Sequence, residues 1–333
     1  MREKLRTRIF SIMDDVDFDN FALEIFQYQY NHNPIYQKYC QTLYPDNKVI
    51  NPETIQDIPF LPVSLFKKHS IKTGDWTPQE IFISSSTGGQ PSIHYVKEIQ
   101  LYKESYSKCF NSFYNHPNQY AILGLMPSYL EREGSSLITM ITDLIHDSGC
   151  ADSGFFLYNH EHLAQTLVKR ELQDKNSLLF GVTFALLDFA NHFNLNLPNT
   201  IIIETGGMKG RGKELIREEV HAHLKKNLGV REVHSEYGMT ELLSQAYMTQ
   251  KSRFKCPPWL RPLIRDQQDP LCVKKRGKGL LNFIDLANID TCSFIATQDV
   301  GEVFGLNEFC AYGRADFTEL RGCNLMVSNF FHN

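Results

Sequence analysis

Apolar segments of strand length alternate with helical segments through the middle of this 333-residue sequence, and this order restricts its fold more than any other feature. Strands are predicted at 81–83, 120–126, 178–183 and 200–204, and helices at 98–114, 135–145 and 212–228. A repeated strand–helix order predicts a largely parallel sheet covered by helices on both faces. The sequence therefore predicts an α/β fold.

The two ends of the sequence follow other patterns. Phe18, Phe21, Ile25, Phe26 and Gln29 recur at helical spacing, and prolines divide the residues after them, so 1–60 is predicted to form short helices. From Gly279 onward, separate strands are predicted at 280–286, 293–297 and 301–304, which makes a β-rich part. We expect one large domain over 1–316, with a helical part at about 1–80, an α/β part at 81–278 and a β-rich part at 279–316, followed by a short tail at 317–333.

Charge and composition exclude several classes of protein. The net charge of −4 and the isoelectric point near 6.3 argue against a nucleic-acid partner. The longest uncharged apolar stretch, 178–187, is far shorter than the roughly 20 residues of a membrane helix. The charged amino terminus does not resemble a secretory signal, and the eight cysteines contain no Cys-x-x-Cys pair. We therefore expect reduced thiols and a cytoplasmic location.

A segment rich in hydroxyl groups, Ser-Ser-Ser-Thr-Gly-Gly-Gln-Pro at 84–91, follows the first predicted strand. Its hydroxyls and backbone N–H groups can wrap phosphate oxygens. The same composition is typical of a solvated surface loop. Taken alone, the segment leaves both interpretations open.

A glycine-rich segment follows the strand predicted at 200–204. Gly207 to Lys213 fits the first seven positions of the phosphate-binding pattern G-x-x-x-x-G-K, but Glu214 replaces the Ser or Thr that would bind Mg²⁺. A carboxylate there would repel phosphate, so this pattern is rejected. Lys209, Arg211 and Lys213 before a helix still favour an anion, and a tight turn with solvated cations is the alternative.

Three further segments, 234–241, 296–302 and 313–323, complete a recognisable order of motifs. The order resembles that of the adenylate-forming enzymes, the superfamily of acyl-CoA synthetases, peptide-synthetase adenylation domains and firefly luciferase. The superfamily's Tyr-Gly-x-Thr-Glu motif stands at 237–241, and its hinge motif Gly-Arg-x-Asp stands at 313–316. The resemblance implies the fold of that superfamily's amino-terminal domain, with mostly parallel sheets between helices and a β-rich carboxy-terminal subdomain.

The sequence departs from the superfamily pattern at three places. Ser92 stands where the phosphate loop has a lysine, and Gln298 replaces the glycine of Thr-Gly-Asp. Few residues follow Asp316, so the mobile lid domain, with its catalytic lysine, is expected to be truncated or absent. Either Lys209, Arg211 or Lys213, or a partner chain, would then supply the missing cation.

Within the superfamily, the sequence is most similar to the LuxE-type acyl-protein synthetases. The likeness lies in segments 61–67, 127–136 and 204–210 and in Arg321-Gly322-Cys323, ten residues before the end. This resemblance implies activation of a carboxylic acid, in that family's manner a fatty acid, by ATP and Mg²⁺ to acyl-AMP. Cys323 would then accept the acyl group and pass it to a reductase or carrier protein, unless it is simply a small buried residue.

The resemblance also assigns site residues to the parts of ATP. The catalytic residues that it implies are Cys323, Thr240 and Glu241, with Thr240 at the α-phosphate and Glu241 at Mg²⁺. Those that it implies for binding ATP are Ser85, Ser86, Thr87 and Gly88 at the β- and γ-phosphates, Tyr237 and the Gly206-Gly207 backbone at adenine, Asp299 at the ribose, Arg314 at the ribose or a phosphate, and also Gly89 and Gly238. Two other functions stay open: a CoA ligase of the phenylacetate type, and a non-catalytic nucleotide-binding subunit of a reductase or biosynthetic complex.

Overall fold

The computed structural model describes residues 1–44, 50–85, 89–126, 133–206, 215–249 and 252–315. Its α-helices are α1 (Arg2–Arg8), α2 (Asp15–His32), α3 (Pro34–Leu43), α4 (Ile99–Tyr114), α5 (Ser136–Ser148), α6 (His160–Leu172), α7 (Thr183–His192) and α8 (Arg217–Leu228). Within these ranges, no helix has both the length and the apolar character that crossing a membrane would require.

The strands vary in length from two to ten residues. They are β1 (Leu61–Pro62), β2 (Glu80–Ile83), β3 (Ile93–Val96), β4 (Ala121–Leu125), β5 (Gly154–Phe155), β6 (Ser177–Val182), β7 (Thr200–Thr205), β8 (Glu232–Tyr237), β9 (Ala246–Met248), β10 (Phe254–Lys255), β11 (Leu260–Arg265), β12 (Val273–Lys274), β13 (Gly277–Asp285), β14 (Phe294–Val303) and β15 (Glu308–Arg314).

The chain divides into two compact units. Unit 1 contains Met1–Leu65, Ile71–Asp75 and Pro258–Asn333, and unit 2 contains Phe66–Ser70 and Trp76–Pro257. Helices α1–α3 therefore belong to the same unit as the carboxy-terminal strands, although they are far apart in sequence. The domain and subdomain boundaries proposed from the sequence stay a prediction.

Unit 2 is built on a sheet with the strand order β10-β9-β8-β7-β6-β4-β5. Neighbours from β8 to β5 are parallel, and β9 and β10 continue the sheet antiparallel. Strands β4 and β6 are buried at every position, which explains their unbroken apolar sequences. The predicted α/β fold class is thus confirmed.

Local signals determine where the helices of unit 2 begin and end. Helix α8 starts at Arg217, later than the predicted start near Gly212, because the Glu219 carboxylate accepts the Ile216 N–H at 3.0 Å. Gly229 ends α8 with φ +63°, as the sequence predicted. A Cβ at Gly229 would lie 2.6 Å from Asn196 Cα, so a larger residue does not fit there.

Unit 1 contains an antiparallel sheet ordered β12-β11-β13-β14-β15, with β1 parallel to β14. Two strands predicted at 293–297 and 301–304 are instead the single strand β14, and this prediction was wrong. Ala296 and Val300, on either side of Thr297-Gln298-Asp299, pair with β13, and Asp299 pairs with Arg314 of β15, so the segment lies within one strand. Register shifts between Leu280 and Asn282 of β13 and between Val300 and Gly301 of β14 mark the irregularity.

Helix α2 buries the face that the sequence predicted. Phe18, Phe21, Ile25 and Phe26 have no exposed surface, and Phe26 packs edge-on against Phe294 of β14. Losing one such phenyl ring costs about 3–5 kcal/mol in protein cores.

The polar member of this face is also satisfied. Gln29 donates to the carbonyls of Asn288 and Ile289 at 2.9 and 3.1 Å, and accepts the Ser293 N–H at 2.9 Å. A buried glutamine with partners for both ends of its amide ties α2 to the connection between β13 and β14.

Candidate active site

Several predicted site residues of unit 2 lie at the carboxyl ends of two adjacent parallel strands. Gly206 follows β7 directly and has φ +80°, while Tyr237 ends β8 and Gly238 comes next. Thr205 and Glu236 are register partners just before these ends. In open α/β sheets, ligands bind beyond the carboxyl ends of strands, so this edge is a suitable place for a nucleotide.

The Tyr237–Glu241 segment makes a tight turn after β8. The Leu242 N–H donates to the Met239 carbonyl at 3.0 Å, and the Glu241 side chain that follows Thr240 is buried. The Tyr237 ring packs against Phe254 of β10 with ring centroids 5.7 Å apart. The Arg217 guanidinium lies 4.9 Å from the centre of that same Phe254 ring. Sequence reasoning missed both supports.

His94 fixes the backbone of this turn. It lies on the inward face of β3, fully buried, and its Nδ1 is 2.7 Å from the Thr240 carbonyl oxygen. Because a carbonyl oxygen only accepts, Nδ1 carries the proton. Burial lowers the pKa of His94 to about 4, against the smaller opposing effect of the Thr240 hydrogen bond, so the ring is neutral at neutral pH.

The predicted phosphate loop joins β2 to β3 in an antiparallel hairpin. The Ser84 N–H donates to the Ser92 carbonyl at 3.0 Å, and the Ser92 N–H donates to Ser84 Oγ at 2.8 Å. These bonds close the base of the loop that contains Ser85 and Gly89. Ser92, at the position of the superfamily's lysine, is buried and belongs to this base.

A buried carboxylate, Glu204, lies on β7 two residues before Gly206. It accepts the hydroxyls of Thr183 at 2.7 Å and Ser235 at 2.6 Å, and Arg217 Nε lies 3.2 Å away. Burial by itself raises the pKa of Glu204, but His221 (3.8 Å away), Arg217 and the two hydroxyls outweigh it and lower that pKa to about 2. Glu204 is therefore a fixed negative charge.

Glu236, on the adjacent strand, is buried, and in the part of the chain that the structure describes no cation contributes to the shift of its pKa. Burial raises its pKa to about 7, the Thr205 hydroxyl at 2.5 Å opposes this, and the charge of Glu204 adds to it. A Cβ at Gly238 would lie 2.4 Å from Glu236 Oε1. The carboxyl group thus packs against Gly238, and a larger residue at 238 would have to displace it.

The predicted ribose-binding pair belongs to unit 1. Asp299 on β14 and Arg314 on β15 are register partners, and Arg314 Nε lies 3.8 Å from Asp299 Oδ1. The Asp299 N–H donates to Thr297 Oγ1, whose hydroxyl donates to the Leu281 carbonyl. The structure therefore brings this pair together, with the aspartate on a hydrogen-bonded strand and the arginine largely exposed.

Other predicted residues lie outside the described part of the chain: Ser86, Thr87, Gly88, Gly207, Lys209, Arg211, Lys213 and Cys323. Their roles stay predictions. Of the residues that sequence reasoning missed, His94 had a detectable signal, because it occupies an inward position in the alternating strand Ile93–Val96. Glu236 had none beyond its place within the Tyr-Gly-x-Thr-Glu region.

Two solved structures share this fold. 2-Hydroxyisobutyryl-CoA ligase, in complex with 2-HIB-AMP and CoA, is 12% identical with a TM-score of 0.64, over 92% of this chain and 70% of that one. MatB from Rhodopseudomonas palustris, with ATP bound, is 14% identical with a TM-score of 0.54, over 70% of this chain. That match spans 47% of MatB, about half its length. At these identities the likeness defines the fold, which is that of the adenylate-forming ligases.

The sequence shows which family the chain belongs to. The family model described as acyl-protein synthetase, LuxE, matches residues 13–332. A relative from Aliivibrio fischeri, the long-chain-fatty-acid–luciferin-component ligase, is 23% identical over 93% of this chain and 88% of its own length. The chain belongs to the LuxE acyl-protein synthetase family, and the predicted enzyme class is confirmed.

Proposed function

We propose that this chain uses ATP to convert a long-chain fatty acid into acyl-AMP and then forms a thioester with the acyl group at Cys323. The observation that carries the proposal is the Thr240–Glu241 turn at the carboxyl end of β8, in a chain of this family. The similar proteins add support, because one relative is named a long-chain-fatty-acid ligase. Of the two similar structures, one has bound ATP and the other has bound 2-HIB-AMP, an adenylate like the proposed acyl-AMP.

The residues of this chain suit the parts of ATP chemically. Thr240 offers a hydroxyl donor to the α-phosphate, and Tyr237 offers a flat ring to adenine. Asp299 can accept hydrogen bonds from both ribose hydroxyls. Glu241 supplies a carboxylate oxygen, the ligand type that Mg²⁺ prefers, and a bound Mg²⁺ would neutralise phosphate charge.

In the first step, a carboxylate oxygen of the fatty acid attacks the α-phosphorus. The bond from that phosphorus to its bridging oxygen breaks, and pyrophosphate leaves with the electron pair. Two anions must approach, so donors held in place beforehand lower the barrier. His94 serves this purpose by fixing the Thr240 main chain, so that the hydroxyl does not have to be ordered during the reaction.

In the second step, the Cys323 thiolate attacks the acyl carbon and AMP leaves. Free cysteine has a pKa of about 8.5, which nearby cations lower, and Arg321 is two residues away in sequence. The thioester keeps the acyl group reactive toward a further acceptor. A reductase or a carrier protein would take that role, and the cytoplasm is the compartment that suits a reduced thiol.

The test is pyrophosphate exchange into ATP over fatty acids of increasing chain length, without CoA, followed by mass spectrometry of the intact protein. We expect exchange, and an added acyl mass that hydroxylamine removes. Cys323→Ser should keep the exchange and lose the acyl mass, because a serine hydroxyl without a base is a poor nucleophile. Cys310→Ser, at a half-exposed cysteine of β15, is the matched control and should retain both.

Three results would contradict parts of this proposal. Absence of exchange with every acid would indicate that the protein is a non-catalytic nucleotide-binding subunit. Exchange without protein acylation, with release of an acyl-CoA when CoA is added, would indicate a CoA ligase. Acylation that persists in Cys323→Ser would place the acceptor thiol elsewhere.

A further inference from the structure

Three side chains of metal-binding type lie close together within unit 2, away from the residues discussed above. They are His160, Asp188 and His192, and one ligand atom from each lies within 4.8 Å of the others. His160 is the first residue of α6, and Asp188 and His192 are one turn apart on α7. We propose that these three residues form a binding site for a divalent transition metal, with Zn²⁺ as the ion best suited to them.

The ligand atoms are already near the spacing that zinc requires. Asp188 Oδ2 lies 3.9 Å from His160 Nδ1, and Asp188 Oδ1 lies 3.6 Å from His192 Nδ1. In a tetrahedral zinc site with bonds of about 2.0–2.2 Å, ligand atoms are about 3.3 Å apart. One ligand atom from each residue lies within 4.8 Å of the others, so the side chains have to move inward before one Asp188 oxygen and both imidazoles reach that geometry.

The three side chains differ in how closely they are packed, and the two more exposed ones are free to move. The His160 ring packs edge-on against the buried Phe189 ring at 5.7 Å, and its side chain is only 21% exposed. Asp188 and His192 are more than half exposed. One oriented imidazole and two adjustable ligands on a neighbouring helix can therefore close around an ion without moving the backbone.

Metal binding through His192 Nδ1 would replace one existing hydrogen bond. His192 Nδ1 lies 2.8 Å from the Asp188 carbonyl, so that nitrogen carries a proton in the metal-free protein. Either Nδ1 loses this proton and binds the ion, or the ring keeps the bond and binds through Nε2. Both routes give two imidazole nitrogens and one carboxylate oxygen, a set typical of zinc with one position left for water.

The site is separate from the proposed chemistry. Thr183, which donates to Glu204, opens α7, and His192 closes it. At 1.5 Å per residue, these two ends of the helix are about 13 Å apart. A bound ion would link the start of α6 to the end of α7, so we assign it a structural role and not a role in adenylation.

The test is calorimetric titration of the whole, chelator-treated chain with Zn²⁺. We expect one ion per chain, and at least about tenfold weaker binding in His192→Ala and in Asp188→Asn, because each removes a direct ligand. Zinc should raise the thermal midpoint of the parent chain, and this rise should disappear in both variants. His146→Ala is the matched control: His146 and Asp147 form an exposed pair 3.2 Å apart, and no described residue adds a third ligand to them, so zinc binding should be unchanged.

His192 is exposed, so its removal leaves the fold intact, and thermal unfolding without metal checks this directly. Pyrophosphate exchange should be unaffected in both variants, which keeps this test separate from that of the proposed function. The proposal would be overturned if the parent chain did not bind zinc, or if His192→Ala and Asp188→Asn bound zinc with the same affinity as the parent chain.

Discussion

Replacing Glu236 with glutamine should stabilise the protein at alkaline pH and change its stability little at acidic pH. The pKa of this carboxyl is 4.5 in an ordinary environment and about 7 in the folded protein, chiefly because of burial. Between these two values the folded chain holds a proton that the unfolded chain has released. Stability therefore falls as the pH rises through this window and stays low above it.

The size of the effect follows from the width of the window. Each pH unit within it changes the free energy of unfolding by about 1.4 kcal/mol, so Glu236 lowers stability by about 3 kcal/mol between pH 5 and pH 8. Glutamine is neutral throughout and can still accept the Thr205 hydroxyl. The difference in unfolding free energy between Glu236→Gln and the parent chain should thus grow by about 3 kcal/mol over this range.

Urea unfolding at several pH values from 5 to 8 measures this difference. Glu204→Gln is the comparison variant, because the pKa of Glu204 is about 2 and it stays ionised over the whole range. Its removal leaves Arg217 without its buried partner and should lower stability by about 3 kcal/mol or more at every pH tested. A Glu236→Gln difference that does not vary with pH would refute the assignment of a protonated carboxyl.

Three further predictions concern the proposed nucleotide chemistry. Asp299→Ala should weaken AMP binding at least about tenfold in calorimetry, since a hydrogen bond to a charged group contributes about 1.5–3 kcal/mol; unchanged affinity would reject its ribose role. Glu241→Gln should reduce pyrophosphate exchange far more than AMP affinity, because Mg²⁺ chiefly serves the pyrophosphate that AMP lacks; equal losses would make Glu241 structural. His94→Ala should slow exchange about tenfold through loss of the bond to Thr240, whereas His94→Asn, whose amide can replace Nδ1 as donor, should retain most of the rate. If the alanine and asparagine variants are equally slow, this hydrogen bond is not what positions the turn.

Much of this protein could be predicted from short stretches of sequence. The strand–helix order, the apolar face of α2 and the end of α8 at Gly229 all depend on residues within a turn or two of each other. Periodicity and glycine conformation act over that same distance, so they are visible without a structure. Each motif, such as that at 237–241, is likewise visible because the spacing of its residues is local, and the order of these motifs indicated the superfamily.

Other features depend on residues that are distant in sequence. Thr297-Gln298-Asp299 has the composition of a turn, yet its flanking residues pair with β13 and Asp299 pairs with β15, which makes it part of a ten-residue strand. Such pairing is decided by the whole sheet and overrides the local preference.

The ionisation and contacts of individual side chains also depend on residues that are distant in sequence. Sequence alone determined that Glu204 and Glu236 are carboxylic acids near a glycine-rich segment. Only the tertiary structure placed Arg217 and His221 beside the first and buried the second, which gives the two acids pKa values of about 2 and about 7. It also brought His160 to Asp188 and His192, and His94 to Thr240, over 146 residues in the latter case. Desolvation and Coulomb interactions depend on distance in space, and the sequence does not contain those distances until the chain has folded.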